Sequence, residues 1–198
     1  MITIEECREE DREAIARAVM MALHEEYEPD EPWSRIFTAL AGRPDSQYSY
    51  RNALKAVTPS GEVAGVIVAY NGGLLDELRK AFINEYRNVM GHEITNLTDE
   101  TAAGEWYIDS LAVFPEFRRM GAARALIEAA IRRTPSELTP GLLCAQESED
   151  ARRLYEAMGF KKAGERPFLG QMMDHLVYQP VAPQQRIDSC GPAAEGRV

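Results

Sequence analysis

The chain has 198 residues, 45% of them hydrophobic and 27% charged, which suits a single soluble globular domain with a sizeable core. Its net charge of −10 argues against a nucleic-acid binder, which needs a basic surface, and suits a cationic ligand or plain solubility. Three scattered cysteines (Cys7, Cys144, Cys190) and three distant histidines argue against a disulfide framework or a metal site, and no apolar run reaches the ~20 residues of a membrane span.

The opening MITIEECREEDREA brings acids at once and carries no apolar leader, so a cytoplasmic protein is expected. Ile2 and Ile4 flank Thr3 in the alternation of an opening strand. Ile15, Ala18, Val19, Ala22 and Leu23 then fall at helical spacing and predict a helix over residues 11–27, closed by Pro29 and Pro32. A shorter helix follows over 33–41, ahead of Gly42 and Pro44. Residues 52–57 and 62–70 read as strands around the turn Thr58-Pro59-Ser60-Gly61. Asn71-Gly72-Gly73 breaks the chain. Leu74, Leu75, Leu78, Phe82 and Tyr86 share one stripe of a helix over 74–90, and residues 91–104 are polar and irregular.

Next come a strand over 105–113, a loop at Phe114-Pro115 and a helix over 121–133 that stops at Thr134-Pro135. A buried strand (141–146), a helix (148–158) and two strands (160–163 and 172–178) complete the periodic part. Beyond it, prolines, glutamines, glycines and alanines predict a disordered tail over 180–198. The expected organisation is one domain over 1–179 with an insert at 74–104. Its strands and helices alternate in a layered α/β domain, and hairpins at either end make the sheet mixed.

Chemistry concentrates between Trp106 and Ala123. A buried strand feeds a loop with Arg118 and Arg119, and then Gly121, Ala122 and Ala123 open a helix. The first turn of a helix has backbone N–H groups without internal partners, and the macrodipole adds roughly half a positive charge there. Small residues let a bulky anion approach, and the arginines add donors shaped for phosphate. The plain structural alternative is close helix packing with solvated arginines. No G-x-x-x-x-G-K-S/T and no G-x-G-x-x-G is present, which argues against a nucleoside triphosphate or a dinucleotide.

The stretch Arg118-Arg119-Met120-Gly121-Ala122-Ala123 resembles the Q/R-x-x-G-x-G/A signature of the GNAT superfamily of N-acetyltransferases. Further on, Ala151-Arg152-Arg153-Leu154-Tyr155-Glu156-Ala157-Met158-Gly159-Phe160 resembles the A-x-x-L-Y-x-x-x-G-F block of the same superfamily. The diagnostic resemblance covers roughly residues 104–168. It implies the acyl-CoA N-acyltransferase fold, a mostly antiparallel sheet flanked by helices. It also implies acetyl-CoA as co-substrate, no metal, a small-molecule or protein amine as acceptor, and possible homodimers.

Carried onto this sequence, the resemblance places the pyrophosphate of coenzyme A on Arg118, Arg119, Met120, Gly121, Ala122 and Ala123. The pantetheine arm would pair with the main chain of Leu111, Ala112 and Val113. Ser148 and Ala151 complete the cofactor side, and a strand bulge is expected around residues 109–111. Position 119 is often glycine in the superfamily and is Arg here, and Ser148 stands where Asn is common.

Moving an acetyl group from sulfur to nitrogen needs a base for the ammonium and an acid for the thiolate. The resemblance makes Tyr155 the general acid, which favours an enzyme over a silent acyl-CoA sensor. For the base, Glu105, Tyr107 and Asp109 alternate on one strand face. Each has an equally weighted structural reading: Glu105 as a solvated strand start, Asp109 as a partner of the bulge. His175 is a further candidate, more readily structural among Met172, Met173 and Leu176. Trp33, Phe37, Phe82 and Tyr86 read as core, and the insert borders the region where the superfamily commonly takes its acceptor.

Overall fold

The computed structural model describes residues 1–95 and 97–180, so the expected tail beyond 180 lies outside the described residues. The chain forms β1 (Thr3–Glu6), α1 (Arg12–Ala22), α2 (Pro32–Ala41), β2 (Ala53–Val57), β3 (Val63–Asn71) and α3 (Leu75–Met90). It continues with β4 (Glu105–Val113), α4 (Ala122–Arg133), β5 (Thr139–Ala145), α5 (Glu149–Ala157), β6 (Phe160–Phe168) and β7 (Gln171–Tyr178). Seven strands make one sheet in the order β1-β2-β3-β4-β5-β7-β6. Only β4 and β5 run parallel; every other neighbouring pair is antiparallel. The expected mixed, mostly antiparallel sheet is what forms.

β3 is apolar on both sides because both faces of the sheet are covered. Val66, Val68 and Tyr70 point to a core shared with Ile15, Val19, Ile36 and Leu40 of α1 and α2 and with Phe82 of α3. Ile67 and Ala69 point to a second core with Leu126 and Ile127 of α4, Ile108, Leu142 and Phe160. A near-continuous run of buried residues is how such a central strand reads.

Several boundaries differ from expectation. α1 stops at Ala22 because Leu23 already bonds back to Met20 and His24 enters the left-handed region (φ +60°). α2 takes Pro32 into its first turn, where the missing N–H is no loss. β6 runs on to Phe168 rather than ending at residue 163, because a register shift between Lys162 and Gly164 skips one residue and pairing then resumes. Pro167 fits there since β6 is the sheet's edge strand.

Candidate active site

The site begins where two parallel strands part. β4 and β5 pair only from Glu105↔Thr139 to Ile108↔Leu142. Immediately beyond, the β3–β4 register shifts: Val68 faces Ser110 and Ala69 faces Ile108, which leaves Asp109 without a partner. This is a bulge, and a bulge bends its strand. β5 continues along β7 through Ala145, while β4 continues along β3 to Val113. Residues 109–113 therefore keep an unpaired main-chain edge toward the opening wedge, and Leu111, Ala112 and Val113 lie on it.

That edge leads to α4. Phe114, held by Arg17 stacked 4.0 Å over its ring, opens a short 3-10 turn through Phe117. Arg119 then adopts φ +63° and Gly121 φ +81°, two left-handed residues that turn the chain into the helix. No side chain caps α4, and the Ala125 N–H is the first to bond back, to Gly121 O at 3.1 Å. The preceding amides stay free beside exposed Arg118, Arg119, Met120 and Gly121. Of residues 118–122 only Ala122 is buried. The left-handed φ at 119 gives a physical reason why glycine would suit that position.

α5 presents Ala151 and Tyr155 to the second core, and Tyr155 meets Phe160 edge-on at 5.9 Å. Burial, with a smaller push from Cys144, raises the Tyr155 hydroxyl further above its ordinary value, so it stays protonated at neutral pH. Ser148 occupies the cap position of α5, yet its side chain does not cap the helix. The helix is tied down instead by Asp174 on β7, which is 1% exposed. Lys162 Nζ lies 2.8 Å and Gln146 Nε2 3.0 Å from its carboxylate, and Arg152 donates to it as well. These donors, Lys162 first, hold the Asp174 carboxyl below its usual range.

The three β4 candidates have different surroundings. Glu105 is buried, contrary to a solvated strand start. Its carboxylate accepts from Thr101 Oγ1 at 2.6 Å and lies 2.5 Å from His175 Nε2. It reaches His175 across Gly141, where a Cβ would stand 1.8 Å from Glu105 Oε1. Tyr107 is buried edge-on against Tyr70, and desolvation holds its hydroxyl well above the ordinary value. Tyr107 therefore stays protonated and takes no proton at neutral pH. Asp109 accepts from the Tyr70 hydroxyl at 3.0 Å and from Ser110 Oγ at 2.8 Å. Burial, then the Glu100 charge, pushes its carboxyl up to about 7, against the opposing hydrogen bonds of Ser110, Tyr70 and Gln47. Asp109 is thus a carboxylate held near neutrality at the strand's point of divergence.

On the same face lies a cavity of 490 Å³. Trp33, Phe37, Tyr48 and Phe82 line it, so residues read from sequence as core also form a wall. The insert contributes Arg79, Ile94, Leu97, Thr98 and Glu100, and the β6–β7 hairpin tip covers one side with Pro167, Phe168, Leu169 and Gly170. Arg79 binds Asp99 at 2.7 Å and Glu100 at 2.5 Å. Its signal was an arginine on the apolar stripe of α3, one turn before Phe82. Gln47 also lines the cavity and sits in a loop without periodicity, so nothing local in the sequence marks it.

A family model described as the acetyltransferase (GNAT) family matches residues 12–160. No protein of curated function matches the chain. Among solved structures, an acetyltransferase superposes with a TM-score of 0.74 at 25% identity, over 89% of this chain and 98% of that one. An N-acetyltransferase from Staphylococcus aureus Mu50 gives 0.72 at 23% identity, over 88% and 99%. The NatC complex bound to Gag peptide and CoA gives 0.55 at 20% identity, over 91% and 99%, a likeness of fold.

Proposed function

The chain belongs to the acetyltransferase (GNAT) family, and from that premise we propose that it moves the acetyl group of acetyl-CoA directly to a primary amine. The observation that carries this reading is the wedge between β4 and β5, which joins a free strand edge to the uncapped start of α4. The unpaired main chain of Leu111, Ala112 and Val113 fits an extended amide-bearing arm as an added strand would. The free amides between Arg119 and Ala123, with the two arginines, fit a pyrophosphate. Bound acetyl-CoA supplies the activated thioester.

The remaining work falls to this chain's own residues. Asp109 takes the proton that the ammonium loses, directly or through one water, which its near-neutral carboxyl permits. As the new C–N bond forms and the C–S bond breaks, Tyr155 returns a proton to sulfur. Its hydroxyl, held above its ordinary value by burial, is protonated at neutral pH. A main-chain N–H at the bulge, where Asp109 has no partner on β3, can steady the carbonyl oxygen as charge develops there. Glu105, held between Thr101 and His175, positions the strand start and touches no reacting atom in this reading.

Thiol release from acetyl-CoA against a panel of amines tests the reaction. Tyr155→Phe is expected to lower kcat by about 100-fold with CoA affinity unchanged. Full turnover in that variant removes the acid role. CoA binding without thiol release from any amine identifies a silent acyl-CoA sensor instead.

A further inference from the structure

The cavity holds one polar group that the fold leaves unused. Gln47 is 3% exposed, it lines the cavity, and its side-chain oxygen is buried without a hydrogen-bond partner among the described residues. A buried acceptor left empty is costly, so an orphan of this kind marks a place for a ligand donor. The NH2 end of the same amide lies close enough to Asp109 to lower its pKa, which puts the Gln47 side chain near the bulge.

Charge around the cavity favours a cation. Arg79, the one lining cation among the described residues, is neutralised twice, by Asp99 and Glu100, so the group carries a net negative charge. Glu25 adds another carboxylate at the exposed rim. The rest is apolar: Trp33, Phe37 and Phe82 stack with ring centroids 6.0–6.5 Å apart and form a continuous aromatic wall. Such a wall attracts both an apolar body and a cation's positive edge.

Resting on the amine-acetylation reading above, we propose that the acceptor is a small primary amine carried on an apolar ring-sized body. Its nitrogen donates to the side-chain oxygen of Gln47, near the bulge, and its body lies on the Trp33, Phe37 and Phe82 wall. A volume of 490 Å³ holds a molecule of that size. A polyamine or an amino sugar would strand further cations or hydroxyls against apolar walls. An extended peptide would need main-chain partners, and the covering hairpin tip contains Pro167, which has no N–H to give.

The test measures thiol release from acetyl-CoA with 2-phenylethylamine, spermidine and a free-N-terminus tripeptide. The expected kcat/KM is at least about tenfold higher for 2-phenylethylamine than for either competitor. Gln47→Leu is expected to raise KM for 2-phenylethylamine about tenfold. Removing the Gln47 hydrogen bond also moves the acidic limb of the pH–rate profile upward, which a purely structural loss would not do. Trp33→Ala, at a position 39% exposed, is a second variant that spares the core and should also weaken 2-phenylethylamine. Faster turnover of spermidine or the tripeptide overturns the inference while acetyl transfer stands. Thiol release from none of them sinks the transfer reading itself. Calorimetric titration of the CoA-loaded protein then decides: 2-phenylethylamine binding that exceeds spermidine's and weakens in Gln47→Leu upholds the pocket assignment, and its absence overturns it.

Discussion

Asp109→Asn is expected to stabilise the fold at alkaline pH while it removes most of the turnover. Burial, with the Glu100 charge behind it, holds the Asp109 carboxyl at about 7 against an ordinary 3.8. Between those values the folded chain keeps a proton that the unfolded chain has released. Stability from this group is therefore full below 3.8, falls as pH rises, and is lost once pH passes 7. About three pH units at ~1.4 kcal/mol each amount to about 4 kcal/mol. Asparagine removes that penalty, but its single oxygen must serve two donors. Either Tyr70 or Ser110 then loses its acceptor, at about 1 kcal/mol. The net expectation is a variant ahead by about 3 kcal/mol near pH 8.5, or roughly 6–12 °C in Tm, and within about 1 kcal/mol of wild type near pH 5. Scanning calorimetry of both proteins at the two pH values reads the difference, and groups common to both cancel. A variant whose Tm near pH 8.5 is no higher than wild type's would refute the reasoning. Asp109 would then be a well-solvated carboxylate with no special claim to act as base.

Three further outcomes follow from separate contacts. Gly141→Ala drives a Cβ to 1.8 Å from Glu105 Oε1. Breaking the Thr101 and His175 contacts should cost about 2–4 kcal/mol in urea unfolding, and an unchanged midpoint would mean that Glu105 swings aside freely. Arg119→Gly relieves a left-handed side chain worth about 1 kcal/mol, so Tm should rise by a few degrees while CoA binding weakens several-fold. If both quantities fall together, the turn is not strained at 119. Asp174→Asn should destabilise the fold by about 2–4 kcal/mol at neutral pH, since it breaks a buried charge from its partners. Because the Asp174 carboxyl is held low, wild type loses this contribution as pH falls below the usual carboxylate range, and the deficit should vanish there. A deficit that persists in acid would point to packing rather than charge.

The elements around the wedge were legible because each rests on a local signal. β4 is an alternating strand that runs into a proline loop, and α4 opens on small residues after two arginines. The stretch from Ala151 to Phe160 carries its helical spacing and its closing glycine in ten consecutive residues. Boundaries were less legible where a backbone device intervened. A left-handed His24 shortened α1, and a register shift before Gly164 let β6 continue past an apparent end. Neither device has a side-chain pattern strong enough to announce it.

Local order along the chain determined the alternation of strands and helices and the small-residue helix start that follows Arg118 and Arg119, since hydrophobic period and helix-start chemistry act over a few residues. Only the tertiary structure decided which groups meet. Glu105 finds His175 seventy residues away, over a glycine that clears its path. Asp109 acquires its near-neutral carboxyl from burial and the Glu100 charge, against the opposing hydrogen bonds of Tyr70 and Gln47, and these groups come from three other segments. Burial and through-space charge depend on neighbours brought from distant parts of the chain, and no window of sequence contains them.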